Sequence, residues 1–377
     1  ALDPPSRSRA SPLAREERNA SGYSLEQEKN VKIQVVNISS KNKKIKAIDL
    51  FAGIGGMRLG FEQAGFQIVY SNDVDKYACI TYRKNFGEIE EKDIRQVDPL
   101  TVPEFDVLLG GFPCQPFSMI GKRDGLSDPR GQLFNEVVKF LNIRKPEAFV
   151  LENVRHLLKH NKGETYTLIK SELEKAGSGY TVVEKILDSK DFGVPQHRER
   201  IYIVGIKNNR QNFEFPQSKS DSVDNKLKNI LEKKVPEKYY LSQKYYSGLL
   251  AHKKRHENKG SGFGCEILNP EGVSNTIVCG SMGRERNLIK DKPVQKNKWG
   301  IRKLTERECA RLQGFPDWFE IPVSTTQAYK QFGNSVSVPV IRQIAKALKK
   351  TLQQNPLPRA VSHPEKIPRP LVSALVA

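Results

Sequence analysis

A doubly wound, mainly parallel α/β sheet with a second, smaller and irregular domain is the architecture this sequence predicts, on three observations. Short apolar runs alternate with helical patterns through the first two-thirds of the chain. The most distinctive residue clusters follow those runs directly. The alternation stops near residue 212, where Gly, Lys and Asn become frequent. Taken in order, Lys46–Phe51 reads as a strand and Met57–Ala64 as a helix closed by Gly65. Gln67–Tyr70 reads as a strand, and Asp75–Asn85 as a helix followed by Gly87. Phe105–Leu109 is a strand that runs into Gly110-Gly111. Gly131–Ile143 reads as a helix, Ala148–Leu151 as a strand, Thr165–Ala176 as a helix and Arg200–Ile206 as a late strand. Sheets of this kind bind ligands beyond the carboxyl ends of their strands.

The pattern divides the chain into a basic tail (1–44), a catalytic-type α/β segment (45–211), a second domain (212–325), a return segment (326–352) and a Pro-rich tail (353–377). The return segment carries apolar residues at helical spacing, with Val338, Ile341, Ile344, Ala345 and Leu348 on one face. No apolar run approaches the roughly 20 residues that cross a bilayer, and the polar N-terminus does not resemble a signal peptide. These features point to a cytoplasmic or nuclear-type protein with no membrane partner.

The formal net charge is +19, and it is concentrated. Asn225 to Lys303 holds eighteen Lys/Arg against seven Asp/Glu, a net +11 in about a fifth of the chain. That block suits a polyphosphate partner; a solvated lysine-rich surface accounts for it equally well. The five cysteines are odd in number and widely spaced, with neither a disulfide framework nor a C-x-x-C metal pattern, so no metal is expected.

Four clusters carry candidate chemistry. Asp49-Leu-Phe-Ala-Gly-Ile-Gly-Gly follows the first strand, where glycines allow a tight turn and close approach of a ligand to the backbone. It is not G-x-G-x-x-G, so no dinucleotide is indicated. The second strand ends at Asn72-Asp73, where an acid can accept bonds from ribose hydroxyls, and Asp93 precedes the third strand; a helix cap or solvated turn explains either acid as well. Pro113-Cys114-Gln115 after Gly110-Gly111 holds a thiol on a rigid strand-end loop, an unusual place for a structural cysteine. Glu152-Asn153-Val154 follows the next strand, so Glu152 and Cys114 are expected at the same end of the sheet.

Phe51-Ala-Gly-x-Gly-Gly, Gly-Phe-Pro-Cys-Gln, Glu-Asn-Val, Gln196-x-Arg-x-Arg200 and Gln331-Phe-Gly-Asn-Ser-Val occur in that order. Their set and sequence resemble the DNA cytosine-5 methyltransferase family, from about Ile45 to Leu348. The resemblance implies the S-adenosylmethionine-dependent methyltransferase fold, S-adenosylmethionine as methyl donor, and duplex DNA bound in a cleft between two domains. It implies Cys114 as nucleophile, Glu152 as acid, and Arg198 and Arg200 as the arginines that steady a flipped cytosine. It assigns Phe51, Ala52, Gly53, Gly55, Gly56, Asp73, Val74, Asp93, Ile94, Pro113 and Asn334 to the cofactor side. Asp73 stands where the family usually has Glu, and Val74 where a large aromatic residue often lies against adenine.

The resemblance extends to bacterial restriction-modification enzymes, in particular those acting on the inner cytosine of CCGG, and so implies a monomer with a cognate endonuclease. DNA contacts are expected from Thr276, Arg284 and Arg286 in the basic block. The two arginines fit guanine or phosphate alike. Ser118, Lys122, Arg123 and Arg130 lie in a glycine-containing basic loop, Phe117 to Arg130, which fits either a lid that closes over DNA or a static surface loop. Two other functions share these motifs: a tRNA cytosine-5 methyltransferase, and a DNA-binding relic without activity.

Overall fold

The computed structural model describes residues 44–113, 132–208, 213–217, 225–260, 264–279, 285–294 and 298–354. The terminal tails, Cys114, Ser118, Lys122, Arg123, Arg130 and Arg284 lie outside them. Seven strands form the main sheet: β1 (Lys46–Leu50), β2 (Gln67–Asp73), β3 (Glu90–Glu91), β4 (Val107–Gly110), β5 (Ala148–Val154), β6 (Tyr180–Asp188) and β7 (Glu199–Lys207). Their order is β3-β2-β1-β4-β5-β7-β6. β1 pairs in parallel with both β2 and β4, β4 pairs in parallel with β5, and β7 runs antiparallel between β5 and β6.

The chain therefore leaves β1 in one direction and returns to its other side at β4. Their carboxyl ends diverge there and open a crevice. Leu50 pairs with Asn72 on one side and with Gly110 on the other. The residues that follow these three, which include Phe51, Asp73 and Gly111, consequently emerge at one level.

Alternate side chains of each strand face opposite layers. Ile48, Leu50, Leu108, Phe149, Leu151 and Ile203 pack on α3 (Gln132–Arg144) and α4 (Glu164–Lys175) through Phe140 and Ile169, among others. Ala47, Val107, Leu109, Val150 and Val204 pack on α1 (Gly56–Gln63) and on the last described helix, α8 (Val338–Gln354), through Phe61, Ile341, Ile344 and Leu348. α1 and α8 touch closely because Gly60 has no side chain; a Cβ there would come within 2.7 Å of the Ile341 Cβ.

α2 (Lys76–Phe86) joins β2 to β3, and α5 (Gln243–Glu257) lies in the basic block. After α5 come a two-stranded antiparallel sheet, β8 (Leu288–Lys290) and β9 (Ile301–Lys303), then α6 (Glu306–Leu312) and α7 (Thr325–Asn334). α6 begins at a capping box in which the Thr305 hydroxyl accepts from Glu308 N and the Glu308 carboxylate accepts from Thr305 N. Glu308 also meets the buried Arg302 guanidinium at 2.8 and 2.9 Å, which locks β9 to α6.

The segment expected to be irregular thus holds a 15-residue helix. α5 buries only Leu249 and shows no apolar stripe, so the helical period has nothing to mark it. β6 is a second element beyond the sequence expectation. It is an edge strand whose centre, Glu184-Lys185-Ile186, interrupts its apolar alternation, a common way of protecting a sheet edge.

Candidate active site

The turn after β1 is shaped by three demands on the backbone. Phe51, Gly53 and Gly55 all have positive φ, at 56°, 56° and 83°. The three glycines of the turn do different work. A Cβ on Gly55 would run into the Phe86 ring, and one on Gly56 would lie 2.7 Å from Ser335 Oγ. Those two glycines let α1 seat against its neighbours. Around Gly53 no described residue comes within 4 Å of a Cβ, whereas Gly55 and Gly56 both meet close neighbours. Ala52 is buried, and its N–H donates to Asn72 O at 2.9 Å, tying the turn to β2.

Asp73 closes the same crevice. Its Oδ2 accepts from Gly53 N at 2.7 Å and its Oδ1 from Asp75 N at 2.8 Å, so it shapes the glycine turn directly. Burial raises its pKa, against those two amides. Each oxygen retains lone-pair capacity for a further donor. Val74, beside it, is 69% exposed, an apolar surface standing free at the strand end. Asp93 caps a short 3-10 turn, accepting from Arg95 N at 3.0 Å, and its ion pair with Arg95 lowers its pKa. Ile94 is buried in the core, leaving its backbone as the part available to a ligand. Pro113 and Asn334 are exposed.

Asp49 heads the glycine motif, and no role for it is evident from the sequence. Its carboxylate is 1% exposed, and neither oxygen has a hydrogen-bond partner among the described residues. Burial pushes its pKa up to about 7; the nearby Arg58 amide and guanidinium offset only part of that cost. The folded chain thus keeps a proton that the unfolded chain releases near 3.8. Asp49 therefore contributes most to stability below about 3.8, and that contribution is lost as pH rises towards about 7. Asp49→Asn is expected to raise the melting temperature more at about pH 8 than at about pH 4. An equal change at both would refute the protonated state.

Across the crevice, Glu152 lies near the end of β5 and is 9% exposed. Its Oε2 would stand 3.7 Å from a Cβ on Gly111, three residues before Cys114. Its Oε1 pairs with Arg200 Nε at 3.2 Å. Burial raises the Glu152 pKa, and the charges of Arg200 and Arg198 partly oppose this. The sheet brings Glu152 and Arg200 together because β5 and β7 pair antiparallel, with Val154 opposite Arg200. Asn153, next in sequence, is buried and donates from Nδ2 to Phe112 O at 3.0 Å, anchoring the strand-end loop. Its place after Glu152 in the Glu-Asn-Val motif is the only sequence signal for this role.

Arg198 is placed otherwise than Arg200. It is 2% exposed, and its terminal nitrogens donate to three carbonyls: Ile277 O at 2.9 Å, Gly333 O at 3.0 Å and Ser335 O at 2.6 Å. Burial and the adjacent Arg200 charge lower its pKa to about 9, while Glu152 counteracts them. Gln196, fully buried, accepts from Ile277 N at 3.0 Å and donates to Leu312 O at 2.9 Å. Ser274 and Gln196 form a parallel bridge, flanked by bonds from His197 N to Ser274 O and from Ser274 N to Pro195 O. Thr276 donates its hydroxyl to His197 O at 2.7 Å. The motif Gln196-His-Arg198-Glu-Arg200 therefore stitches the basic segment to the sheet. Arg286 is half-buried, and its carbonyl accepts from Asn275 Nδ2 at 3.3 Å.

A cleft with a glycine turn and two strand-end acids on one side, and a buried, arginine-paired carboxylate beside a strand-end loop on the other, narrows the chemistry. The family model for C-5 cytosine-specific DNA methylases matches residues 45–350. This chain belongs to that family. Among its relatives is the type II methyltransferase M.HpaII of Haemophilus parainfluenzae, 46% identical over 323 residues, covering 81% of this chain and 89% of the relative. M.NlaX of Neisseria lactamica is likewise 46% identical, covering 81% and 97%. Among solved structures, the Entamoeba histolytica methyltransferase EhMeth superposes with a TM-score of 0.67 at 22% identity, covering 82% of this chain and 99% of that one. That likeness bears on the fold.

As a C-5 DNA methylase, the chain transfers a methyl group from S-adenosylmethionine to cytosine in DNA. The type II relatives favour DNA over the tRNA reading. The crevice fits the donor: among the described residues nothing fills the space at Gly53 where the turn meets Asp73, and Val74 offers an apolar face beside them. Among the described residues, no group of His, Cys, Asp or Glu is arranged to hold a metal ion, and no helix is long and apolar enough to cross a membrane.

Proposed function

We propose that this C-5 DNA methylase modifies the inner cytosine of CCGG in duplex DNA, with Cys114 as nucleophile and Glu152 as acid. The observation that carries the site assignment is the position of Glu152: a buried carboxylate facing Gly111, on the loop that leads to Cys114, and held by Arg200.

Carbon 5 of cytosine is a poor nucleophile. Cys114 adds as thiolate to carbon 6, forming a carbon–sulfur bond and pushing the displaced electron pair towards the ring. Glu152 places a proton at ring nitrogen 3, which receives that charge. The raised pKa of Glu152 suits this, since it holds the proton to a higher pH than an ordinary carboxyl. Carbon 5, now enamine-like, takes the methyl group as the donor's sulfonium–methyl bond breaks onto sulfur; carbon 5 then gives its proton to water, the bond to Cys114 breaks and the thiolate leaves, and Glu152 regains its proton from nitrogen 3. Phe51, Gly53, Asp73, Val74 and Asp93 hold S-adenosylmethionine, which supplies an electrophilic methyl group on its sulfonium. The base must leave the duplex stack to reach Cys114 and Glu152.

Residues 212–325 form the target-recognition part, and 326–352 return to the catalytic part. A small apolar cluster of Leu241, Leu249, Cys265, Leu288 and Ile301 supports that division. Thr276, Arg284 and Arg286, with Ser118, Lys122, Arg123 and Arg130, serve the DNA. The chain acts as a monomer in the bacterial cytoplasm, at the nucleoid, and protects host DNA from a cognate endonuclease. The target is tested by treating DNA with enzyme and S-adenosylmethionine, then with a methylation-sensitive nuclease that cuts CCGG. Resistance is expected; complete cutting rejects this target while leaving the chemistry open to bisulfite sequencing.

A further inference from the structure

We propose that the outer face of α5 is a phosphate-binding surface that grips DNA without reading its sequence. The inference rests on duplex DNA being the substrate. α5 is joined to the rest of the protein on one side only, where Leu249 is buried. At 100° per residue, Lys244, Ser247, Gly248, Ala251, Lys254 and Arg255 continue one another along the opposite side, and all are exposed; the exposed Lys259 follows in the turn just past the helix. This stripe contains no acid. The helix's acid, Glu257, projects off the stripe and lies 3.9 Å from Lys253, itself outside the stripe. Lys244, Lys254 and Arg255 form no ion pair among the described residues.

The middle of the stripe is bare. Gly248 has no described residue within 4 Å of a Cβ position, and Ser247 and Ala251 flank it with short side chains. Cations therefore stand at the two ends of a shallow saddle, Lys244 at one and Lys254, Arg255 and Lys259 at the other. Lys244 and Arg255 are about 16 Å apart along the axis. A polyanion laid along the helix can rest on the saddle while long cationic side chains reach it from both ends. Neither the flat centre nor the flexible lysines offers the fixed donor–acceptor pattern that distinguishes bases, so this face adds grip and not selectivity. An apolar partner is disfavoured, because the stripe has no large apolar side chain.

Salt dependence separates this role from others. Binding of the full-length chain to two duplexes, one of mixed sequence and one of adenine and thymine only, is followed by fluorescence anisotropy over a salt series. For the triple variant K244Q/K254Q/R255Q, the slope of log K against log salt is expected to become shallower by about 2 to 3, at roughly 0.9 for each phosphate no longer neutralised. Both duplexes should weaken alike, and the charge-conserving K244R/K254R/R255K should keep the parent slope. An unchanged slope in the triple variant overturns the proposal, as does weakening confined to one duplex, which would place the face on bases. If the unsubstituted chain binds neither duplex, the DNA reading itself falls, and this proposal with it.

Discussion

Replacing Cys114 with alanine is expected to lower methyl transfer to DNA by on the order of 10⁴-fold or more, with binding of S-adenosylmethionine and of duplex retained. The size follows from the chemistry. Without addition at carbon 6 there is no electron-rich carbon 5, and the buried thiols offer no replacement nucleophile. Cys79, Cys265 and Cys309 are buried, and burial raises each of their pKa values, to about 12 for Cys79. Cys279 is exposed and packs against Gly333, close enough for the Arg198 guanidinium to feel its charge. Transfer of labelled methyl groups at saturating DNA and cofactor measures the effect. A variant within tenfold of the parent would remove Cys114 from the mechanism.

Glu152→Gln is the second large effect, expected at on the order of 10² to 10⁴-fold in kcat. The amide keeps the shape and can still bond to the ring or to Arg200, but it cannot deliver a proton. The pH profile gives a sharper reading than the rate. Burial raises the pKa of Glu152, so the parent's activity should decline as pH rises through that raised value. The glutamine variant should lack that limb. A variant that is slow but keeps the parent's alkaline decline would assign that limb to another group and leave Glu152 with a positioning role alone.

Much of the fold is legible in the sequence because each central strand is built on a short apolar run, as burial on both faces requires. β1, β4 and β5 are buried almost throughout, and their sequences say so. Elements whose stability comes from elsewhere are not legible. β6 carries charges at its centre, α5 has one buried side chain, and β3 has two residues. In the site, Glu152 and Asp73 can be read because each terminates an apolar strand. The distinct tasks of Gly53, Gly55 and Gly56 cannot, since like residues so close together hide which one meets a ring, a hydroxyl or no described residue. Arg198 is expected beside the substrate, yet its terminal nitrogens bond carbonyls 79, 135 and 137 residues further along the chain. No local pattern encodes partners that remote.

Those three carbonyls bear on the order in which the enzyme comes into being. Strand β7, with Arg198 just before it, leaves the ribosome well ahead of Ile277, Gly333 and Ser335. Until those residues arrive, the guanidinium has no carbonyl to bind, and the face of β1 and β4 that α8 covers has no lid. The nascent chain can thus carry Cys114, Glu152 and the glycine turn before the bonds that fix Arg198 are made. The Arg198 side of the site is completed only with α7 and α8, which bring the Gly333 and Ser335 carbonyls and cover the sheet.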